Sequence, residues 1–220
     1  RATWSGEGGG VLANQCPHQL DLLQWVAGMM PKRIRAFCHF GKWHDIETED
    51  DVTAYLEYEN GATGVFVTST ADCPGTNRFE IIGTLGKLVC EDNQLSFYKL
   101  EQDEREFNSQ YRGGFGEPKS RKVEVELDGE NPQHIGILNN FANAILGLEP
   151  LYVDGKEGIK SVEIMNAMLL STWLNDKVTL PVDGDLFYSE LEKRMKKSKP
   201  RQAKSIVLNA EGTYGGTKSK

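Results

Sequence analysis

Apolar positions along this chain change their spacing twice. Pro17 suits the first turn of a helix, where a missing N–H costs nothing. Leu20, Leu23 and Ala27 follow at helical spacing, flanked by Leu22 and Val26. This predicts a helix that Gly28 and Pro31 end. From Arg33 the period falls to two. Strands are predicted over 33–40, over 51–58 (Val52, Ala54, Leu56 and Tyr58 on one face) and over 62–70. Asn60-Gly61 joins the last two as a hairpin turn. Shorter strands follow over 78–82, 87–90, 94–100 and 121–127, with a polar stretch at 101–120 read as a long loop. Helical spacing then returns. Ile135, Leu138, Phe141, Ala142 and Ile145 share one face, and Ile159, Val162, Met165, Leu169 and Trp173 another, within a helix over 156–175. A third, over 185–197, is amphipathic and basic at its C-terminal end, as the helix dipole favours.

Strands in succession, framed by helices, predict an α+β fold: a large, open, mostly antiparallel sheet with helices on one face. The strict strand–helix alternation of a doubly wound nucleotide-binding fold is missing. We expect one domain over 1–197 and a polar, Gly-rich tail over 198–220.

Composition narrows the function. The 220 residues carry a net charge of −7, with 39% hydrophobic and 26% charged residues. That balance suits a globular domain and argues against a nucleic-acid surface, which needs clustered Lys and Arg. No apolar run approaches the ~20 residues of a membrane span. The four cysteines, Cys16, Cys38, Cys73 and Cys90, form no C-x-x-C, so free thiols in a cytoplasmic protein are expected. The chain starts at Arg1 rather than Met, and a preceding segment is expected.

The Gly-rich stretches hold no phosphate signature. Gly8-Gly9-Gly10 is not G-x-G-x-x-G after a strand, Gly83 to Lys87 is too short for a P-loop, and Gly212 to Lys218 has no Gly-Lys-Ser/Thr. All three read as turns. Asn14, His18 and Asp21 carry more chemistry. His18 and Asp21 lie one helical turn apart, with Asn14 just before them. An imidazole titrating near neutrality takes a proton from a hydroxyl, and a neighbouring amide or carboxylate fixes its tautomer. A helix-terminal Asp is also favourable on dipole grounds alone, so a structural role stays open. A second group, His39, His44, Asp45, Glu47, Glu49, Asp50 and Asp51, contains residue types that bind metals. It lacks a recognised ligand spacing and reads more simply as a solvated acidic loop; no metal is expected. The loop 71–78, with Thr76 and Asn77, carries polar groups on a constrained backbone of the kind that lines pockets, and reads equally well as an ordinary strand connection.

The stretch Gly8-Gly9-Gly10-Val11-Leu12-Ala13-Asn14-Gln15-Cys16-Pro17-His18-Gln19-Leu20-Asp21 resembles the Gfo/Idh/MocA family, named for glucose–fructose oxidoreductase and inositol dehydrogenase. The family carries G-G-G-x-L-x-[D/N]-x-x-x-H-x-x-D at the start of its second domain. The resemblance continues through Glu49-Asp50-Asp51-Val52, Asn60-Gly61-Ala62, the strand pair from Arg78 to Leu88, Asn139 to Ile145, and Glu163 to Ala167. It implies the C-terminal, substrate-binding and oligomerising half of an oxidoreductase acting on a sugar or polyol. NAD or NADP would be bound mainly by a preceding Rossmann domain that this chain does not contain, and the chain alone would be inactive. By position His18 would be the catalytic base. Asn14, where many members have Asp, would contact substrate together with Thr76, Asn77, Trp4 and Arg1, and Asp21 would orient or support. The open sheet face would build a homodimer or homotetramer. A non-catalytic sugar-binding or oligomerisation module is the alternative.

Overall fold

A computed structural model describes residues 2–92, 94–126, 129 and 132–199. They form two compact units, one within residues 2–70 and 159–199, the other within 71–158. Arg1 and most of the expected tail, residues 200–220, lie outside the described residues. So does Leu127.

The first unit opens with three helices: α1 (Trp4–Glu7), α2 (Val11–Asn14) and α3 (Pro17–Ala27). Three antiparallel strands follow: β1 (Arg33–Phe40), β2 (Glu49–Glu57) and β3 (Thr63–Ser69). Their alternation sorts the side chains as the sequence pattern predicts. Ile34, Ala36, Val52, Ala54, Leu56 and Phe66 are buried on one face, while Phe37, Tyr55, Val65 and Val67 are exposed on the other.

The later part of the chain completes this unit. The second unit contains the antiparallel strands β4 (Arg78–Gly83), β5 (Gly86–Glu91), β6 (Gln94–Leu100) and β7 (Ser120–Val123), with α4 (Glu104–Gln110) and α5 (Gln133–Ile145). Then α6 (Gly158–Leu174), the two-residue strand β8 (Val178–Thr179) and α7 (Gly184–Met195) belong, but for Gly158, to the first unit. Its sheet runs β3-β2-β1-β8, and the second unit's runs β4-β5-β6-β7. The α+β class and the antiparallel pairing hold, but the strands divide into two four-stranded sheets where one large sheet was expected.

Helix α6 is the centre of the core. Ile164, Ala167, Met168, Leu169 and Leu170 are buried, as befits a helix apolar around much of its surface. It also closes a sheet edge. β8 pairs β1 only at Arg33 and Ile34. Further along, the Ala36 N–H donates to Ser171 Oγ (2.9 Å) and the Cys38 N–H to Thr172 Oγ1 (3.0 Å). Two helix hydroxyls thus do for these two N–H groups of β1 what a longer neighbouring strand would do.

The polar stretch 101–120 is not all loop. It contains α4, started by Asp103, whose carboxylate accepts the N–H groups of Arg105 and Glu106. Helix α4 buries no residue, so it has no apolar stripe to betray it. The apolar stripe of α5 forms as predicted, yet Ile135, Leu138, Phe141 and Ile145 are all exposed.

Candidate functional site

The segment that carries His18 is fastened to the first unit's sheet at two points. Glu49, at the start of β2, is fully buried, and its Oε1 accepts the N–H groups of Gly10 (2.8 Å) and Leu12 (3.0 Å). Two donors that open α2, and would otherwise lack partners, are satisfied by a strand 37 and 39 residues away. Glycine at position 10 is a packing requirement: a Cβ there would stand 2.0 Å from the Glu49 carbonyl oxygen. At the other end, Cys16 Sγ donates to Thr68 Oγ1 over 3.3 Å. Leu12 and Leu20, both fully buried, complete the anchorage on either side of His18.

His18, the second residue of α3, is exposed, and so are Asn14 and Asp21. Asn14, at the end of α2, lies four residues before it on the same fastened segment. Asp21 is engaged by Gln24, whose Nε2 donates to Asp21 Oδ1 over 3.1 Å along α3. Thr76 and Asn77 are exposed on the loop before β4, in the second unit. That loop turns at Gly75 (φ 92°) and is braced by the Thr76 N–H donating to Asp72 Oδ2. Trp4 is only 7% exposed. It packs edge-on against Phe40 (5.6 Å) and Trp173 (5.5 Å), while Phe187 stacks on Trp173 and the Arg194 guanidinium lies over it. Its position is that of a core side chain, with little ring surface left for a ligand.

The acidic run departs most from its expected character. Glu49 and Asp50 are fully buried rather than solvated. His39 pairs with Asp51 and Phe40 with Glu49, which leaves Asp50 as the extra residue of a bulge. Its carboxylate gathers the loop 41–46: Oδ1 accepts the Lys42 N–H (3.0 Å), and Oδ2 those of Trp43 (2.8 Å) and His44 (2.9 Å). Burial opposes the charge, but these donors outweigh it and hold the carboxyl below the ordinary range. Burial likewise opposes the charge of Asp51, but the Trp43 indole, the Lys42 ammonium and His39 bond to it and bring it to about 2. Glu49 moves the other way: burial raises it, because two N–H donors on one oxygen do not offset the desolvation, and Oε2 is buried without a partner. The sequence did contain a signal for Asp50. Val52, Ala54 and Leu56 face inward, and the same alternation carried back two residues points position 50 inward.

Burial pushes the Cys38 thiol up to about 12 and also raises Cys16, so neither supplies a thiolate near neutrality. Among the described residues, no group of three or more His, Cys, Asp and Glu side chains converges as a metal would require. A nicotinamide dinucleotide does not fit these residues either. Gly8-Gly9-Gly10 joins two short helices and Gly83–Gly86 closes a hairpin, so neither forms the strand–loop–helix cradle that takes a pyrophosphate. The second unit has an open concavity of about 790 Å³ on its sheet, lined by Arg78, Lys87, Glu91 and Tyr98 among others. Its charges largely pair with one another, Arg78 with Glu80 and Glu91, and Lys87 with Glu80.

Fold and site together define an α+β domain that presents a helix-borne histidine, and no dinucleotide fold forms among the described residues. Residues 1–89 match the model of the GFO/IDH/MocA C-terminal domain. The uncharacterized protein y4oX of Sinorhizobium fredii is 23% identical over 174 residues, 76% of this chain and 46% of that protein. Two solved structures are similar in fold. The WlbA dehydrogenase of Bordetella pertussis, in complex with NADH and UDP-GlcNAcA, has a TM-score of 0.59 at 22% identity, over 80% of this chain and 46% of its own. The WlbA dehydrogenase of Chromobacterium violaceum, with the same two ligands, has a TM-score of 0.59 at 24% identity, over 80% and 47%. The chain thus spans about half the length of the relatives it matches. No helix among the described residues is long and apolar enough to cross a membrane.

Proposed function

We propose that this chain is the substrate-side domain of an NAD(P)-dependent oxidoreductase that moves a hydride between a sugar- or polyol-like alcohol and its cofactor. The observation that carries this reading is the exposed imidazole of His18 on a segment fastened by Glu49 and Thr68, within the stretch that matches the family model. Oxidising an alcohol requires the hydroxyl proton to leave as the C–H bond breaks, and a neutral imidazole is suited to take it. Asn14 would hold a substrate hydroxyl beside His18. Its amide orients but does not accept the proton as an Asp would. Arg1 would contribute a further contact, and Asp21, already held by Gln24, would support α3. The cofactor, NAD or NADP, would belong to a preceding half of a longer protein, so the chain alone should turn nothing over. Unpaired cysteines suit a cytoplasmic setting.

In the full-length protein, assayed against aldoses and polyols by NAD(P)H absorbance, His18→Ala should lower turnover about a hundredfold or more. Unchanged turnover would remove His18 from the base's role.

The exposed face of the first sheet supports a homodimer or homotetramer. Val65 and Val67 are each about two-thirds exposed, beside Phe37 and Tyr55, a contiguous apolar patch of the kind that marks an interface. Light scattering should give at least twice the monomer mass, and Val65→Lys with Val67→Lys should return it to monomer. A strictly monomeric parent protein would contradict this assembly.

A further inference from the structure

Thr68 and Thr70 lie two residues apart at the end of β3, so their side chains leave the same face of the chain, about 7 Å apart. The Thr70 N–H donates to the Asp50 carbonyl (2.9 Å), which continues the sheet ladder to that point. Thr68 accepts the Cys16 thiol, and Thr70 Oγ1 lies 3.1 Å from His44 Nδ1. These two threonines therefore tie the His44 loop and the Cys16-Pro17-His18 turn to the same end of β3, within one unit. The loop that carries His44 is rigidly built. Asp50 accepts three of its N–H groups, and Gly41 (φ 60°) lets the chain close so tightly that a Cβ there would meet the Ile46 carbonyl oxygen at 2.5 Å.

The hydrogen bonds also assign the tautomer of His44. The Asp50 carbonyl oxygen, 3.3 Å from Thr70 Oγ1, offers the hydroxyl proton an acceptor and leaves the oxygen free to accept from the ring. The other group facing Nδ1 is the Asp50 carboxylate, with Oδ2 at 3.4 Å, also an acceptor. Two acceptors on Nδ1 require the proton there. Nε2 then presents a lone pair, from a half-exposed ring, with no protein partner among the described residues. In the neutral form of the ring this nitrogen is an acceptor facing outwards, which matches a hydroxyl donor, and a polyhydroxylated ligand offers several.

We propose that His44 is a second substrate-binding residue of the His18 site, whose Nε2 accepts a hydrogen bond from a hydroxyl of the sugar or polyol other than the one that reacts. This rests on the reading that the edge around His18 receives such a substrate. It makes His44 a determinant of which hydroxyl pattern is accepted, while proton removal stays with His18.

Two measurements test it. With ¹⁵N-labelled histidine, the neutral form of His44 (identified by loss of its signals in His44→Phe) should be the Nδ1–H tautomer, and Thr70→Val should mix the tautomers; an Nε2–H tautomer in the parent protein overturns the proposal. In the full-length protein, with the aldose or polyol it turns over fastest, His44→Phe should raise KM about tenfold and leave kcat within about threefold, while His44→Gln, which keeps an acceptor, should recover part of the loss. An unchanged KM overturns the proposal. A raised KM for His44→Phe alongside undiminished turnover of His18→Ala would retire the base assignment and leave His44 standing. If none of these sugars reacts, the comparison is made on their dissociation constants by calorimetry, and equal binding, or binding of none, overturns it.

Discussion

Replacing Gly10 with Ala should destabilise the first unit by about 3 kcal/mol, lowering its thermal midpoint by roughly 6–12 °C. The added Cβ would stand 2.0 Å from the Glu49 carbonyl oxygen and 2.9 Å from Glu49 C and N, and backbone atoms inside a sheet have nowhere to retreat. The segment must instead lift away from β2, stretching the Gly10 and Leu12 N–H bonds to Glu49 Oε1 and withdrawing Leu12 from the core. Because His18 follows α2 on the same fastened segment, the same variant should lower catalysis in the full-length protein even at temperatures where it stays folded. Gly8→Ala is the natural comparison. Gly8 has a positive φ of 71° but nothing within 4 Å of where a Cβ would stand, so only the left-handed backbone preference is lost, about 1 kcal/mol. Calorimetry on both variants separates collision from backbone preference, and equal losses would contradict the Glu49 contact.

Asp50→Ala should cost about 3 kcal/mol near neutral pH, because the N–H groups of Lys42, Trp43 and His44 lose a charged acceptor together. The loss should be pH dependent, and its sign follows from the folded carboxyls. Asp50 and Asp51 are both held below the ordinary Asp value of 3.8, Asp51 at about 2. Their contribution is complete above that ordinary value and disappears as the pH falls towards the folded values. Glu49 has the opposite slope. Its carboxyl is raised by burial, so its ionisation removes stability as the pH climbs from 4.5 through the raised value. Denaturant midpoints against pH should therefore show the gap between the parent protein and Asp50→Ala closing below about pH 4. A gap independent of pH would mean that the carboxylate's charge does not hold the loop.

Elements with one buried face were legible from sequence, because burial writes itself into residue spacing. Val52, Ala54 and Leu56 gave β2, Met165, Leu169 and Trp173 gave α6, and Asn60-Gly61 gave the hairpin between β2 and β3. Elements held by polar contacts were not. Helix α4 rests on the Asp103 cap, and β8 is a two-residue pairing whose work on β1 is continued by Ser171 and Thr172. The residues of the proposed site divide in the same way. His18, Asn14 and Asp21 stand out by residue type and spacing. What fastens them does not, because Glu49 and Thr68 are distant in sequence and look like ordinary strand residues. The acidic run misled for a physical reason: charge suggests solvent, yet Glu49 and Asp50 are buried among N–H donors. Trp4 misled in the opposite sense, since an aromatic near a pocket motif suggests a ligand contact and this one fills the core.

The central claim is that this domain brings the substrate's side of the chemistry and leaves the nicotinamide to another. Titration with NADH, followed by its fluorescence, tests that division most directly. The full-length protein should bind NADH saturably and this chain alone should not. Saturable binding by the chain alone, as tight as that of the full-length protein, would contradict the account.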